Sequence, residues 1–156
     1  MGFHGTLWVT TILALDVGHL MTFIPLTGGC CCGAIRYTAN AMPFDADYCH
    51  CEQCRKSVGA VVASWMDFNA DEVTMEGETL VEFASSDTVR RGFCCRCGTS
   101  LTYRHTGYPQ YLTLSIASLD KPELVEPKYH IHTGNQVSWL VIEDDCPRYV
   151  NARSAG

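Results

Sequence analysis

Cys49-His50-Cys51-Glu52-Gln53-Cys54-Arg55 places three cysteines within six residues, in the spacing C-x-C-x-x-C. That spacing is hard to explain as core packing, whereas thiolates are soft ligands that suit zinc. In a short turn, all three sulfurs can converge on one point about 2.3 Å away. The fourth corner of a tetrahedron must come from elsewhere or stay open, and this choice separates a structural from a catalytic metal site.

Two further cysteine clusters supply four more thiolates. Gly28-Gly29-Cys30-Cys31-Cys32-Gly33 contains a C-x-C pair, and Phe93-Cys94-Cys95-Arg96-Cys97-Gly98 contains a C-x-x-C pair followed by glycine. Joining the two pairs gives a closed four-thiolate site, which we expect to hold a structural zinc ion whose removal destabilises the fold. Its predicted ligands are Cys30, Cys32, Cys94 and Cys97. The extra residues, Cys31 and Cys95, are interpreted as small half-buried hydrophobes rather than ligands.

Composition bounds the class of protein. The 156 residues are 47% hydrophobic and 18% charged, which favours one globular domain. The net charge of −6 argues against a nucleic-acid backbone as the main partner. Ten cysteines indicate either a secreted disulfide scaffold or metal binding in a reducing compartment. The clustered spacing favours metal, so we expect a cytoplasmic protein.

The domain limits are predicted from composition. Residues 1–22 are interpreted as an N-terminal extension that is poorly ordered or loosely packed, with a packed extra strand or short helix as the competing outcome. Residues 23–150 are interpreted as the zinc-binding domain and 151–156 as a fraying tail. The apolar run Leu7–Leu15 lacks the flanks of a signal peptide and is too short to span a membrane, so no membrane partner is expected. Met21 is a plausible alternative first residue.

Short alternating runs separated by turn residues predict a mainly β fold with few short helices. The predicted strands are Ala34–Ala39, Phe44–Cys49, Gly59–Met66, Glu72–Met75, Leu80–Ala84, Thr88–Phe93, Tyr111–Ile116 and Pro127–His132, with a further apolar run at Trp139–Ile142. One helical turn is predicted over Glu52–Ser57.

Some candidates stay open at this point. His50 is flanked by two proposed ligands, but an extended backbone would turn it away from them. His130 and His132 share a face of a predicted strand, which suits either a ligand site or ordinary hydrogen bonding. Cys146 is interpreted as an unligated thiol.

Arg55 and Lys56 follow the central cluster directly. They could bind substrate carboxylates by charge-assisted hydrogen bonds, or they could be solvated surface residues.

The order of the three cysteine motifs carries a family resemblance. C-x-C-G, then C-H-C-x-x-C-R, then F-C-x-x-C-G resembles the glutathione-dependent formaldehyde-activating enzyme family, which shares a domain with centromere protein V. Later matches are Leu119–Pro122 (L-D-x-P), Pro127–Ile131 (P-x-x-H-I), Trp139 and Pro147–Tyr149 (P-R-Y), so the resemblance covers about residues 23–150.

The resemblance implies a β-rich, Mss4-like fold with two zinc ions per chain. It implies a structural zinc on the four-cysteine site and a second zinc on Cys49, Cys51 and Cys54, near which the chemistry occurs. It further implies a carbon–sulfur lyase that joins or splits glutathione, the co-substrate, and formaldehyde as S-hydroxymethylglutathione. Arg55 and Lys56, with Arg36 or Arg104 as further candidates, would then hold the carboxylates of this small-molecule substrate.

Two other classes of function remain. One is a zinc-stabilised binding or scaffold module without turnover, and the other is a metal or redox buffer. The fourth coordination position of the second site discriminates, because a protein side chain that closed it would leave no place for a substrate.

Overall fold

The computed structural model describes residues 24–153, which form a mainly β chain, as the alternating runs predict. The strands are β1 Leu26–Gly29, β2 Arg36–Ala39, β3 Asp45–Cys49, β4 Ala63–Asn69, β5 Val73–Glu76, β6 Leu80–Ala84, β7 Val89–Cys94, β8 Ser100–His105, β9 Tyr111–Ser115 and β10 His130–Ile131. The α-helix α1 spans Glu52–Val58, and short 3-10 turns occupy Ala70–Glu72, Ile116–Ser118, Pro122–Leu124 and Thr133–Asn135.

The strands form two sheets with a hydrophobic core between them. Strands β1, β2 and β5 make a three-stranded sheet, and the other seven follow the order β10-β3-β4-β9-β8-β7-β6. All pairs are antiparallel except β10 with β3. The core combines side chains from the small sheet with one face of the large sheet: Leu26, Tyr37 and Ala39 from the former, and Ala46, Met66, Phe68, Leu112 and Leu114 from the latter.

Strand alternation sends polar side chains to the other face of the large sheet. Ala46 of β3 is buried in the core, so Asp45, Asp47 and Cys49 point the opposite way. This second face of the large sheet carries the candidate site.

Several predicted strand boundaries were wrong. The run Gly59–Met66 forms a strand only from Ala63, because Gly59 adopts a left-handed conformation (φ 68°) that ends α1. In Pro127–His132 only His130–Ile131 pairs as a strand. Within the described residues Trp139–Ile142 forms no strand, and Trp139 is 71% exposed.

Two strands had no prediction. β1 (LTGG) contains two glycines, which are typical of turns, although its backbone pairs with β2 along its whole length. β8 pairs with β9 on one side and with β7 on the other, so its strand conformation depends on pairing with distant parts of the chain.

The predictions for residues 1–22, including Met21 as an alternative start, lie outside the described residues, as do the last three residues of the tail. None of the helices within residues 24–153 combines the length and the hydrophobicity of a membrane span.

Candidate metal centres and active site

The four cysteines predicted to form the closed site come together in the structure. Their sulfurs all lie within 4.8 Å of one another. The Sγ–Sγ distance is 3.5 Å between Cys30 and Cys32, and 3.8 Å between Cys32 and Cys94. The edge of a tetrahedron with 2.3 Å zinc–sulfur bonds is about 3.8 Å. Both the donor type and the spacing therefore fit zinc.

Two tight turns present these sulfurs. The Gly33 amide donates to the Cys30 carbonyl at 2.9 Å, and the Gly98 amide donates to the Cys94 carbonyl at 2.8 Å. Both glycines have positive φ, 73° and 76°, which other residues rarely adopt. The Ile35 amide also donates to the Cys30 sulfur at 3.2 Å, which helps to fix the position of this sulfur.

The chemistry of the fourth sulfur also suits a metal ligand. Hydrogen bonds from the Thr99 hydroxyl and from backbone amides lower the pKa of Cys97 to about 5. Cys31 and Cys95 lie outside the cluster, which supports four ligands rather than six. Both are exposed, so the prediction that they are half-buried was wrong.

The central motif forms a second cluster of three sulfurs. Those of Cys49, Cys51 and Cys54 also lie within 4.8 Å of one another. Hydrogen bonds with the Cys49 and Cys54 side chains lower the pKa of Cys51. Hydrogen bonds with the Cys51 and Cys54 side chains raise the pKa of Cys49. The three thiols thus compete for protons at close range. A divalent cation suits this donor set, because it would stabilise all three as thiolates.

Local structure positions these sulfurs. Cys49 ends β3, Cys51 is the N-cap of α1, and Cys54 lies in the first turn of that helix. The Cys54 amide donates to the Cys51 sulfur at 3.3 Å, as an N-cap side chain requires. The helical turn predicted over Glu52–Ser57 is confirmed, and it lets the third sulfur reach the other two.

The three sulfurs open onto a cavity of about 640 Å³. Strand register explains its lining, since residues opposite one another on paired strands share a face. Successive strands contribute Asp47 and Cys49 (β3), Trp65 and Asp67 (β4), Thr113 (β9), Tyr103 (β8) and Arg91 (β7). The cavity therefore runs across the polar face of the large sheet, with sulfurs at one end.

Arg91 lies at the sulfur end of the cavity. Its side chain is 7% exposed, and its Nη1 and Nη2 atoms are 3.7 Å and 3.6 Å from Cys54 Sγ. The guanidinium also lies over the Tyr103 ring, 5.2 Å from its centroid, and Nε donates to the Ser85 hydroxyl at 3.3 Å. Arg91 is held in place by all three contacts and puts a permanent positive charge beside the thiolates.

Three carboxylates from β3 and β4 line the same cavity. Asp45 faces Asp67 across the β3–β4 pair, and Asp47 lies two residues from Asp45 on the same face. Burial, followed by the charges of Asp67 and Asp45 and to a smaller extent Cys51, raises the pKa of Asp47 to about 8. Burial also raises the pKa of Asp67, while a hydrogen bond with Thr113 opposes it.

His50 does not join the three cysteines. Its ring is fully buried, and its Nε2 lies 2.8 Å from Nδ1 of His130, whose Nε2 is 2.9 Å from Asp144 Oδ2. The interpretation that His50 turns away from the sulfurs is confirmed. Among the described residues no fourth side chain completes the three-sulfur cluster.

The predicted pairing of His130 with His132 on one strand face was wrong. His132 has φ 56°, which ends the extended backbone after Ile131 and lets its side chain line the cavity while His130 is buried. Cys146 is a free thiol whose sulfur lies within 4.8 Å of ligand atoms of His130 and Asp144.

Arg55 and Lys56 do not line the cavity in this structure. Lys56 is exposed, and its Nζ lies 2.5 Å from Glu52 Oε1, one helical turn earlier. α1 therefore presents Cys54 inwards and these two basic residues to its other sides.

The two further arginine candidates are engaged elsewhere on the surface. Arg36 forms an ion pair with Asp120, and Arg104 Nε lies 2.8 Å from Glu82 Oε1. The cavity instead contains two guanidinium groups that sequence reasoning missed, those of Arg91 and Arg153.

Comparison with known proteins identifies the family of this chain. The family model described as glutathione-dependent formaldehyde-activating enzyme matches residues 25–135, which contain all seven clustered cysteines. This chain belongs to that family. The family membership predicted from the order of the cysteine motifs is therefore confirmed.

Two known proteins are similar to this chain, one in sequence and one in fold. A Schizosaccharomyces pombe protein named as an uncharacterized lyase is 33% identical over 79 residues, covering 51% of this chain and 57% of that protein. The match thus spans little more than half of the relative. A crystal structure of a Rhodobacter sphaeroides protein has a TM-score of 0.52 at 23% identity, covering 65% of this chain and 96% of that one. The second likeness concerns the fold alone.

Proposed function

We propose that this protein is a zinc-dependent carbon–sulfur lyase that forms or cleaves the adduct of a thiol and an aldehyde, S-hydroxymethylglutathione being the adduct that the family description suggests. The observation that carries the proposal is the three-sulfur cluster at the end of a cavity of about 640 Å³, with no fourth protein ligand among residues 24–153. A structural site needs four protein ligands, whereas a catalytic site keeps one position for water or substrate.

The two metal sites have different roles in this proposal. Cys30, Cys32, Cys94 and Cys97 hold the structural zinc, and Cys49, Cys51 and Cys54 hold the second one. When bound at the second site, zinc would favour the thiolate form of a substrate thiol, which is the nucleophilic form.

Arg91 offsets the charge of the second site. Three thiolates and one divalent cation carry a net charge of −1, and a guanidinium 3.6 Å from Cys54 Sγ brings the local total to zero. A neutral site accepts an anionic thiol more readily than a negative one. Arg91 is therefore a positioning residue for Cys54 and lowers the electrostatic cost of substrate binding.

The reaction needs no redox partner. A carbon–sulfur bond forms between the thiol and the aldehyde carbon, and the carbonyl oxygen takes up a proton in place of the one that the thiol releases. The reverse reaction breaks the same bond and returns both partners. Trp65 and Tyr103 contribute aromatic surface to the wall of the cavity beside this centre.

The remaining predictions fit this function. We take residues 23–150 as one domain with an extension before it and a short tail after it. We place the protein in the cytoplasm because ten free thiols need a reducing compartment.

Arg55 and Lys56 stay candidates for the rim of the cavity, but Arg91 and Arg153 are better placed to meet substrate carboxylates inside the cavity.

The test is an exchange assay. The rate of exchange between glutathione, formaldehyde and their adduct is measured by NMR magnetisation transfer, without protein and with zinc-loaded wild type, Cys54→Ala and Cys95→Ala. We expect acceleration by wild type and by Cys95→Ala, which keeps both clusters, and none by Cys54→Ala. An unchanged rate with two-zinc wild type, together with no binding of glutathione, would favour the scaffold module instead.

A further inference from the structure

We infer that His130, Asp144 and Cys146 form a third metal site, which binds one zinc ion outside the cavity. A ring nitrogen of His130, a carboxylate oxygen of Asp144 and Sγ of Cys146 all lie within 4.8 Å of one another. Zinc accepts nitrogen, oxygen and sulfur ligands in the same site. None of these three residues lines the cavity beside the second metal site. The inference is therefore independent of the proposed lyase activity.

The carboxylate of Asp144 is arranged as a metal ligand would be. Its Oδ1 accepts hydrogen bonds from the Cys146 amide at 3.2 Å and from Arg148 Nη2 at 3.1 Å. Its Oδ2 is left to face His130, whose Nε2 lies 2.9 Å away. Ligating carboxylates are usually hydrogen-bonded in this way, because the extra bonds fix the direction of the ligating oxygen.

The imidazole of His130 has a partner on its other side. Its Nδ1 lies 2.8 Å from Nε2 of His50, and both rings are fully buried. A ligating histidine normally uses its second ring nitrogen for a hydrogen bond that fixes the orientation of the ring. With the Nδ1 proton donated to His50, Nε2 of His130 carries the lone pair that a metal ion needs.

The same contacts argue against a nucleophilic cysteine–histidine pair. Both ring nitrogens of His130 have partners other than the thiol, namely His50 and Asp144. The Cys146 thiol donates to the Pro127 carbonyl at 3.6 Å instead. A base must lie within hydrogen-bond reach of the thiol that it activates. Cys146 therefore suits metal ligation better than nucleophilic catalysis.

The site has a buried side and an accessible side. His130 is fully buried, whereas the Asp144 side chain is 23% exposed and Cys146 is half-buried. A tetrahedron with metal–ligand bonds of about 2.1 Å has an edge of about 3.4 Å. Asp144 must therefore move away from His130 by about 0.5 Å when an ion replaces the proton between them. Asp144 lies outside the helices and strands, so this movement breaks no strand pairing.

An ion at this site would join the C-terminal segment to β10. His130 begins β10, and its amide donates at 2.8 Å to the carbonyl of Pro147, the residue after Cys146. Because it has one thiolate instead of three or four, the site would hold zinc less tightly than the cysteine clusters. Protein purified without added zinc should keep two ions, and the third should bind when zinc is supplied.

The test measures alkylation of Cys146 in the full-length two-zinc protein, with and without added zinc. N-ethylmaleimide labels the thiols, and mass spectrometry of the peptides reports each cysteine separately. We expect added zinc to slow the labelling of Cys146 by about tenfold or more, since a ligated sulfur is not free to react. Cys95 belongs to none of the three groups and should label at an unchanged rate. Magnesium, which prefers oxygen ligands, should not protect Cys146.

Matched variants assign the protection to the site. In Asp144→Asn the effect of zinc should fall below about threefold, because a neutral amide is a poorer ligand than a carboxylate. In Asp145→Asn, at an exposed neighbouring position, it should stay at about tenfold. Equilibrium dialysis against zinc should give three ions per chain for wild type and two for Cys146→Ala. A count of two also shows that this variant keeps both cysteine clusters.

The outcomes separate this inference from the proposed function. Unchanged labelling of wild-type Cys146 with zinc overturns the third site, and so does equal protection by magnesium. Protection that persists in Asp144→Asn also overturns it, because Cys146 would then bind zinc without this carboxylate. These results do not bear on the lyase, since the exchange assay uses two-zinc protein. Protection with a third ion in wild type, lost in Asp144→Asn, supports the site even where no exchange is found.

Discussion

Nη2 of Arg91 lies 3.6 Å from Sγ of Cys54, although the two residues are 37 positions apart in the chain. The contact joins β7 to α1 at the sulfur end of the cavity and places a buried positive charge at the edge of a cluster of three sulfurs. Because hydrogen bonds to charged groups contribute about 1.5–3 kcal/mol, this contact should be measurable in metal affinity.

Arg91→Gln should weaken zinc binding at the second site by roughly 10- to 100-fold, since the thiolates lose their nearest positive partner. Competition with a chromophoric chelator measures this affinity. The control is Arg90→Gln, whose guanidinium donates to backbone carbonyls of the Ser86–Val89 turn instead. Equal second-site affinity in the two variants would remove Arg91 from the metal centre.

Cys97→Ala should unfold the domain or leave it without a cooperative transition at 25 °C. A structural zinc contributes on the order of 10 kcal/mol, as much as the whole stability of an ordinary domain. Circular dichroism with a zinc count checks this. Cys95→Ala removes an exposed thiol outside the cluster and should keep two zinc ions and a normal transition. A stable Cys97→Ala protein with two zinc ions would refute the assignment.

Asp67→Asn should gain stability over wild type as pH rises. Burial raises the pKa of Asp67 above its usual 3.8, so the folded state holds this proton more tightly than the unfolded state does. The stabilising effect is fully present below the unfolded pKa and is lost as pH rises through the folded pKa. Asparagine does not titrate, so the difference in free energy of unfolding should grow as pH rises through the folded pKa and then level off. A series of urea denaturations from acid to neutral pH measures it.

The control for the pH series is Thr88→Ala, an exposed residue in the β6–β7 turn that carries no titratable group. Its difference from wild type should stay constant over the same pH range. A constant difference for Asp67→Asn as well would show that this carboxyl is not held in an unfavourable charged state.

His130→Ala should lower the free energy of unfolding by about 2–4 kcal/mol, because it leaves His50 and Asp144 without their shared partner. Thermal and chemical denaturation measure this loss. His105→Ala, at a partly exposed end of β8, serves as the control and should cost less than about 1 kcal/mol. Similar losses in the two variants would show that the buried histidine pair contributes little.

Sequence was sufficient to predict which cysteines come together and insufficient for the rest of the cavity. The cysteine spacings are local and chemically specific, so the clusters are predictable without a structure. Arg55 and Lys56 were chosen for their nearness in sequence, but α1 turns Lys56 towards Glu52 on the surface. Arg91 meets the sulfurs only through the register of a seven-stranded sheet, which no single-sequence pattern specifies.

The sequence contained one signal for the carboxylates that line the cavity. In Asp45-Ala46-Asp47-Tyr48-Cys49 the two carboxylates alternate in phase with a proposed zinc ligand, which places all three on one face of a strand. The sequence did not predict that Asp67 joins these carboxylates, since its position opposite Asp45 depends on pairing between β3 and β4.

The most direct test of the central claim is zinc K-edge X-ray absorption on the two-zinc protein, before and after glutathione is added. Four cysteines at one site and three at the other predict about 3.5 sulfur neighbours per zinc without glutathione. Saturating glutathione should raise this number to about 4, as its thiol takes the remaining position. A value of 4 before addition, or no change afterwards, would contradict an open second site.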